Sequence, residues 1–435
     1  MNRILYICFF VLLVSGCSLN TKSSFWTKEK KIIEEKKNVK IFKISKSKKQ
    51  NIKEFNTDIK LKLDENFFNI SYVNNLDNNN GLTSYEGNLI NSSKYKFSKI
   101  KNFNKLEPDL IFHDNGLFFF DNKGTILKFD TSSKLIWKQN IYSKKEKKLN
   151  PILFFARSNN ILVVTDSIGT YYALKVNDGK LIWKKNHTSP FNSQIKIHKD
   201  KFFTIDFEST LNCISLTNGN KIWEVKTEDS FVKSIKKLSL IIKNNLVIFN
   251  NGIGDVTAVD INNGNLVWLT PTQSSTIYGE AFKLKISDLI SESNSIYFSN
   301  NKSKFYSLDI ESGMLNWKQN INSTVRPVVV GNLIFTVSST GLLVVIEKEE
   351  GKIIRITDLF KNLKDKEKKT TKPIGFILGK KTIYLTNNNG KLFLIDIKSG
   401  NTKKILKITK GKISRPLALG GSLYIAKDNS IIKLN

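Results

Sequence analysis

The sequence predicts an all-β fold: an eight-bladed β-propeller of four-stranded antiparallel blades, the last blade closed by an N-terminal strand. The first observation is a strand–turn–strand unit with the pattern small residue, x, Asp, x, x, x, Gly, x, x, x, Trp, clearest as GDVTAVDINNGNLVW at 254–268. The second is its spacing, because eight turns near positions 124, 169, 209, 254, 303, 341, 390 and 429 follow at intervals of 38 to 49 residues. Propeller blades repeat about every 40–50 residues. The third is a short apolar run before each turn, which predicts a buried strand, and the repeats contain no long helical pattern.

Each recurring residue of the repeat has a structural reason. The turn glycine, as in Gly264 and Gly313, allows a positive φ. Asp260 and Asp309 lie just before it and can accept backbone N–H groups of the turn. The tryptophan begins the outer strand, where its ring can pack between neighbouring blades and its N–H can reach a backbone carbonyl. We therefore interpret five tryptophans as structural: Trp137, Trp183, Trp223, Trp268 and Trp317. The weaker copies at 341–355 and 390–404 have Arg355 and Lys404 at this place.

The N-terminus predicts a secreted and lipid-anchored protein. Residues 1–16 have a short basic start and an apolar run, Ile4–Val14, that is too short to span a bilayer. The run ends in Val-Ser-Gly-Cys, which resembles a bacterial lipobox and implies cleavage before Cys17 and lipidation of its sulfur. Several acyl chains would anchor the chain stably. The alternative is an ordinary signal peptide followed by an incidental cysteine.

The rest of the chain divides into a tether and the propeller. Residues 17–63 are rich in lysine and predict a flexible spacer, and residues 64–435 predict the propeller, with repeats from about 106. The last repeat, from about 413, supplies only three strands, which would leave a sheet edge unpaired. Lys94–Ile100 alternates in polarity and is the predicted closing strand. The Asn-rich stretch 74–91 before it predicts a loop.

Composition and motifs argue against several function classes. Lys and Arg exceed Asp and Glu by 69 to 38, a net charge of +31, but the lysines are spread over all repeats and no nucleic-acid-reading motif is present. Cys213 takes the small-residue position of its repeat and predicts a core side chain. The three histidines, at 113, 187 and 198, lack metal-ligand spacing. We therefore predict no metal, no cofactor and no nucleic-acid partner.

The repeat resembles the PQQ-like propeller repeat over about residues 106–435. Together with the lipobox, the tether and the eight blades, it makes the chain similar to the BamB family, lipoproteins of the outer-membrane β-barrel assembly machinery. This resemblance implies a non-catalytic scaffold, lipid-anchored at the periplasmic face of the outer membrane. It also implies that the propeller binds the periplasmic domains of a BamA-type subunit and helps to deliver unfolded outer-membrane proteins.

The resemblance further implies a contact surface on one rim around the third and fourth blades. By blade position this is Glu228–Ser239, EDSFVKSIKKLS. An apolar anchor and lysines that steer an acidic partner would suit such a surface. The expected contact residues are Phe231, Val232, Lys233, Lys236 and Lys237. The alternative is an ordinary crossover between blades, whose apolar residues, including Leu238, pack inward.

Two other functions are compatible with a propeller of this kind. Quinoprotein dehydrogenases have similar repeats, but they need acidic and amide ligands for Ca²⁺ near the quinone, and many have adjacent cysteines that this sequence lacks. We therefore predict that the protein is not an enzyme. A periplasmic adaptor for a different envelope partner would use the same loop surfaces, and the sequence does not separate it from the assembly-factor function.

Overall fold

Eight four-stranded antiparallel sheets make up the propeller, as the sequence predicts. The computed structural model describes residues 53–63, 66–68, 76–113, 116–229, 236–272 and 284–435. The signal segment, Cys17 and the tether as far as residue 52 lie outside these described residues. All of the described residues belong to one compact unit, Lys53–Asn435.

In blades 1 to 7 the four strands follow one another in the chain, and each pairs with the next. The first four blades contain β4 (Ile111–His113), β5 (Gly116–Phe120), β6 (Ile126–Asp130), β7 (Leu135–Gln139); β8 (Leu153–Ser158), β9 (Ile161–Asp166), β10 (Thr170–Lys175), β11 (Leu181–Asn186); β12 (Lys196–His198), β13 (Lys201–Ile205), β14 (Thr210–Ser215), β15 (Lys221–Lys226); β16 (Leu240–Lys243), β17 (Leu246–Asn250), β18 (Val256–Asp260) and β19 (Leu266–Thr270).

The next three blades contain β20 (Ile290–Glu292), β21 (Ser295–Asn300), β22 (Lys304–Asp309), β23 (Leu315–Gln319); β24 (Val328–Val330), β25 (Leu333–Val337), β26 (Leu342–Glu347), β27 (Ile353–Asp358); β28 (Pro373–Leu378), β29 (Thr382–Asn387), β30 (Lys391–Asp396) and β31 (Thr402–Lys407). Blade 8 contains β32 (Leu417–Leu419), β33 (Ser422–Lys427) and β34 (Ser430–Leu434). In blades 1 to 7 the first strand lines the central channel and the last strand is the outer edge, and in blade 8 β32 lines the channel.

An N-terminal strand completes the eighth blade, but it lies earlier than predicted. Strand β3 (Asn91–Lys96) pairs antiparallel with β34, whereas the sequence indicated 94–100. The ladder ends at Lys96 because β34 begins at Ser430, so no strand lies opposite the residues that follow. Ile100 instead donates its backbone N–H to the carbonyl of Asp428, at the turn before β34.

The remaining elements are short. Strands β1 (Phe67–Phe68) and β2 (Leu82–Thr83) add to the channel side of β28, and both of these pairings are parallel. Helices α1 (Lys144–Lys148) and α2 (Asp365–Thr370) lie in the crossovers after blades 1 and 6, and a 3₁₀ turn (Phe103–Lys105) precedes blade 1. Of the helices in the described part of the chain, none has the length and apolar character to cross a membrane.

The small residue of the repeat lies directly opposite the tryptophan. In blade 4, Ala258 pairs with Trp268, and a β-bulge follows at once. A bulge recurs at the matching point of blades 1 to 7, where it increases the local twist. A small side chain leaves room on that face for the indole ring. Cys213 has this place in blade 3, opposite Trp223, where burial raises the pKa of its thiol to about 12.

The tryptophan joins each blade to the next one. Trp268 donates its Nε1–H to the carbonyl of Ile310 at 2.8 Å and covers Gly313, the turn glycine of blade 5. Gly313 has φ +68°, and a Cβ on it would lie 2.4 Å from the indole ring. The glycine is therefore needed both for its backbone conformation and for the approach of the ring. Equivalent Nε1 bonds lead from Trp137 to Val176, from Trp183 to Leu216 and from Trp317 to Lys348.

Arginine and tyrosine replace tryptophan at two of these junctions. Buried Arg355 of blade 6 donates to the carbonyls of Ile397 and Lys398 beside Gly400, the turn glycine of blade 7. Tyr95 of the closing strand donates its hydroxyl to the carbonyl of Thr131 in the turn of blade 1. Blade 8 has no turn of this kind, because its outer strand comes from the N-terminus. Lys404 of blade 7 therefore has no glycine to cover, and its side chain is exposed.

The end of the predicted tether packs on blade 6. Phe55 and Ile356 exchange two backbone hydrogen bonds at the outer edge of β27, and Leu61 is buried between blades 6 and 7. Arg355 also donates to the carbonyl of Ile59 at 3.0 Å. The expectation of a flexible spacer reaching residue 63 is therefore wrong for 53–63. A backbone edge and a buried arginine supply partners that lysine-rich composition alone does not indicate.

We expect Trp268→Ala to lower the free energy of unfolding by about 3–5 kcal/mol, the usual cost of emptying a buried aromatic site. Urea denaturation measures the change. Met314→Ala, at a side chain that is 71% exposed, is the control and should stay within about 0.5 kcal/mol of the wild type. A loss below about 1 kcal/mol for Trp268→Ala would show that the ring does not hold the blades together.

We expect Arg355→Ala to cost about 2–4 kcal/mol, because three backbone carbonyls lose a charged donor. It should also release residues 53–63, so that trypsin cuts faster at Lys60 and Lys62. Lys404→Ala removes a basic side chain at the matching position of blade 7 and should leave both stability and the cleavage rate unchanged. Equal protection of 53–63 in the two variants would contradict the role given to Arg355.

Candidate partner-binding surface and central channel

The predicted contact segment is the crossover from blade 3 to blade 4. Phe231, Val232 and Lys233 lie outside the described residues. The crossover begins beside the β17–β18 turn, since Asn251 donates its side-chain N–H to the carbonyl of Glu228 at 3.3 Å. It ends in the core, where Leu238 is buried and pairs with Ser193 of the preceding crossover.

Lys236 and Lys237 are not rim residues. The Lys236 ammonium donates to the carbonyls of Ile286 and Thr324, and Lys237 lies 2.5 Å from the Asp109 carboxylate. Their side chains are only 9% and 7% exposed. The expectation that they steer an acidic partner from the rim is wrong, because the oxygen atoms of neighbouring crossovers draw both ammonium groups into the mouth of the channel.

The rim beside this crossover continues to the outer edge of blade 4. Thr272 follows β19 and donates its backbone N–H to Asp255, in the same β17–β18 turn that contacts Glu228. Strand β19, LVWLT, is the only outer strand of the described blades without a charged residue. Its Leu266, Val267 and Leu269 are 61%, 49% and 40% exposed. Sheet edges are usually protected by charge, and β19 lacks this protection within the described part of the chain.

An Asn-rich segment, residues 76–83, runs along the inner strands of blades 4 to 7 in the central channel. The carbonyls of Leu76 and Asp77 accept the backbone N–H groups of Ile242 in β16 and Ser291 in β20. Further on, Asn79 exchanges hydrogen bonds with Val329 of β24, and Leu82 pairs with β28. The segment, predicted as a loop, therefore satisfies the inner edges of blades 4 to 7. Asn side chains suit this role because each offers both donors and an acceptor.

The channel mouth contains a charged cavity of about 60 Å³. Arg326 contacts the Asp288 carboxylate at 2.5–2.6 Å, with both side chains almost buried. Arg326, with Lys236 and Lys237, holds the pKa of Asp288 well below its usual range against the opposing effect of burial. Burial in turn lowers the pKa of Lys196, which contacts the amide oxygen of Asn78, to about 7. The cavity walls come from Glu107, Asp109, Lys236, Lys237, Asp288, Arg326 and Arg415, with apolar residues between them.

Metal-ligating side chains do not cluster in the part of the chain that the structure describes: no three His, Cys, Asp or Glu residues are placed to share an ion there. His187 contacts the Asp206 carboxylate at 2.8 Å and stacks on Phe191, which is a packed arrangement between blades 2 and 3. His113 and His198 end the inner strands of blades 1 and 3.

Comparison with known proteins identifies the repeat. A family model described as "Outer membrane protein assembly factor BamB" matches residues 122–357, more than half of the chain. The chain belongs to the BamB family. No curated protein matches it significantly.

Solved structures agree on the fold. BamB from Moraxella catarrhalis is 14% identical, with a TM-score of 0.64 over 80% of this chain and 99% of that one. The computationally designed Ika8 protein is 15% identical, with a TM-score of 0.59 over 81% and 99%. Quinohemoprotein alcohol dehydrogenase from Comamonas testosteroni is 9% identical, with a TM-score of 0.59 over 80% and 76%. At these identities the likeness concerns the fold alone.

For this BamB-family chain, the sequence did not indicate which residues line the central channel. Asn78, Lys196, Arg326 and Arg415 come from an N-terminal segment and three separate crossovers or inner strands, and no local motif joins them. The only available signal was the run Asp77–Asn80, whose four polar residues precede Gly81. Such a run is also typical of a turn, so its place inside the propeller came from the tertiary structure.

Proposed function

We propose that this protein is a non-catalytic scaffold lipoprotein of the outer-membrane β-barrel assembly machinery. It binds the periplasmic domains of a BamA-type subunit and aids the insertion of outer-membrane proteins. The family match over residues 122–357 is the observation that carries this proposal. The fold by itself does not, because alcohol dehydrogenases and a designed protein have similar folds.

The filling of the channel supports a scaffold over an enzyme. In the described residues, the centre of the propeller is occupied by the chain's own segment 76–83, which bonds to four inner strands. The cavity at the channel mouth, about 60 Å³, has room for one small group and not for a cofactor of several rings. The repeats therefore serve to build a rigid ring whose loops and edges remain for recognition.

The proposed docking surface is the rim between blades 3 and 4. Phe231 and Val232 supply an apolar anchor at the crossover, and the uncharged edge β19 continues from it through the Asn251–Asp255 turn. An extended segment of the partner could pair with β19 while the crossover fixes its position. Lys236 and Lys237 do not belong to this surface, since they face the channel mouth.

We expect the double variant Phe231→Asp, Val232→Asp to lose binding to the purified periplasmic domains of the BamA-type subunit by at least about 100-fold, because two charges replace the apolar anchor. Biolayer interferometry measures the affinity, and the melting temperature should stay nearly unchanged. The matched control is Leu135→Asp, Ile136→Asp, which places the same charges on exposed positions of the blade 1 outer strand. It should bind like the wild type.

The outcomes separate the hypotheses. Equal binding by the crossover variant would remove this segment from the interface, and a large fall in its melting temperature would assign both residues to the core. If the wild-type protein fails to bind the BamA-type domains, the scaffold serves another envelope partner. Quinone-dependent alcohol oxidation by the wild-type protein would overturn the non-catalytic assignment.

The lipid anchor forms part of the proposal and has its own test. We expect Cys17→Ser to abolish incorporation of labelled palmitate, because only the thiol can form the thioether, and to move the protein out of the outer-membrane fraction. Cys213→Ser is the control, since that thiol is buried inside blade 3. Palmitate labelling that persists in Cys17→Ser would exclude lipidation at this residue.

A further inference from the structure

The connections of the propeller divide between its two faces. Successive strands of a blade alternate in direction, so each crossover to the next blade lies on the same face as the turn between the second and third strands of a blade. In blade 8 the closing strand β3 takes the outer place, which makes residues 97–110 the crossover to blade 1. We call this side of the ring the crossover face. The rim between blades 3 and 4 belongs to it.

One half of the crossover face is strongly basic. This basic half extends from the crossover after blade 6, through blades 7 and 8, to the crossover after blade 1. Its residues are 97–110, 121–125, 140–152, 359–372, 388–390, 408–416 and 428–429. It has 13 exposed lysines against two exposed acidic residues, Glu107 and Asp365. The described residues of the other half have one exposed lysine and three exposed acidic residues. The folded ring therefore separates charges that the sequence distributes over all repeats.

Hydrogen bonds join the parts of the basic half into one surface. Each crossover or turn in it contacts the next one around the ring. In order, the donors and acceptors are Asn388 and Thr370, Thr409 and Gly390, Lys412 and Asn104, Lys101 and Asn122, and Asn122 and Asn150, at 2.6–3.2 Å. The lysines thus lie on a continuous support and not on separate loops.

The two short helices present lysines to solvent at the ends of this surface. Helix α1 is fixed by a capping box, in which Ser143 and Glu146 bond to each other's backbone N–H groups. The Glu146 carboxylate also lies 3.9 Å from Lys184 of β11, and Glu367 of α2 pairs with Lys391 of β30. Both glutamates therefore contact a lysine of a neighbouring strand. The exposed lysines at the helices are Lys144, Lys145, Lys148, Lys364, Lys366 and Lys369.

The N-terminal segment reaches the propeller beside the basic half. The Glu54 carboxylate accepts the backbone N–H of Asp358 at 3.0 Å and lies 3.7 Å from Lys361, in the crossover that contains α2. Lys53 follows Cys17 by 36 residues, and residues 17–52 contain eleven lysines and three glutamates. A basic stretch of sequence that begins at the proposed lipid anchor thus ends at the most basic part of the folded domain.

We infer that the basic half of the crossover face docks on the anionic phospholipid headgroups of the bilayer to which the chain is anchored. The choice of this partner rests on the proposed lipid anchor and on the place where the anchored segment meets the propeller. Lysines spread over four crossovers suit a broad charged surface better than a single small ligand. The acidic residues Glu228 and Asp229 lie on the other half, so the contact turns the rim between blades 3 and 4 away from the headgroups.

A weak attraction is enough for this contact. Each lysine near an anionic leaflet raises the partition onto it by about fivefold, and the effect decays within roughly 8–10 Å of the surface. An anchor at Cys17 makes the encounter with the bilayer intramolecular, so the surface needs little affinity of its own. Its role is to set the orientation of the propeller on the membrane.

The test is the binding of the full chain to lipid vesicles, in the Cys17→Ser form so that no acyl chain contributes. Co-sedimentation compares vesicles of phosphatidylcholine and phosphatidylglycerol with vesicles of phosphatidylcholine alone. We expect at least about tenfold tighter binding to the anionic vesicles. The difference should disappear as sodium chloride rises from about 0.1 M to 1 M, because the screening length falls from about 10 Å to about 3 Å.

Two triple variants locate the contact on the propeller, and any binding through the N-terminal segment is common to both. The α1 variant is Lys144→Gln, Lys145→Gln, Lys148→Gln, and the α2 variant is Lys364→Gln, Lys366→Gln, Lys369→Gln. Each should weaken the binding to anionic vesicles at least about tenfold, since three lysines leave the surface. The matched control removes three exposed lysines from turns of the opposite face: Lys134→Gln, Lys199→Gln, Lys380→Gln. It should bind within about threefold of the parent protein, because those turns point away from the bilayer and are screened from it.

Arginine at the three α1 positions should keep the binding, and melting temperatures check that every variant is folded. Equal binding by the α1, α2 and control variants, or equal binding to neutral and anionic vesicles, would overturn the contact. Tighter binding to a DNA or RNA oligonucleotide than to the vesicles, weakened by the same variants, would assign the basic half to nucleic acid and also overturn it.

The result is separable from the tests of the proposed function. Palmitate labelling depends on Cys17, and binding of the BamA-type domains depends on the rim between blades 3 and 4. If either of those fails while the α1 and α2 variants lose vesicle binding, the membrane contact stands. If both succeed while vesicle binding is unchanged in the α1 and α2 variants, only the membrane contact is overturned.

Discussion

The contact between an indole ring and the turn glycine of the next blade is the interaction on which this propeller depends. A four-stranded sheet has two edges and two faces, and a ring of such sheets is stable only if each blade is fixed to the next. Trp268 shows how this is done, because one side chain packs on Gly313 and donates a hydrogen bond to Ile310. The opposite Ala258 and the following bulge make space for the ring. One contact therefore explains the small residue, the glycine and the tryptophan of the repeat.

The replacements show which property of tryptophan matters. Arg355 and Tyr95 differ from it in shape and charge, yet each donates a hydrogen bond to a carbonyl of the next blade's turn. The bond to the neighbouring turn is thus shared by these two residues and by Trp137, Trp183, Trp268 and Trp317. Trp223 packs on Gly264, but its Nε1 has no hydrogen-bond partner in the described part of the chain. Arg355 differs from tryptophan in its charge. Its guanidinium donates a further hydrogen bond to the carbonyl of Ile59, in the N-terminal segment that packs on blade 6. A weakened copy of the motif marks the place where the N-terminal segment docks.

At the centre of the ring, eight inner strands expose unpaired backbone edges to a narrow channel. Segment 76–83 bonds to the inner strands of blades 4 to 7, and a network of buried charged side chains from several crossovers lines the mouth of the channel. The rim and the outer edges are thus the surfaces that remain for the proposed partner.

The sequence by itself determined the repeat, the number of blades and the closure by an N-terminal strand, because each blade is a local unit whose turn, bulge and tryptophan recur at a regular spacing. It did not determine the end of the closing strand, which the turn before Ser430 sets. It also did not show that residues 53–63 dock on blade 6, or that Lys236 and Lys237 turn into the channel. A lysine at the end of a crossover has the same local sequence whether it faces solvent or a distant aspartate. Only the closing of the ring, which brings Asp109 of the first repeat beside Lys237 of the fourth, decided between them.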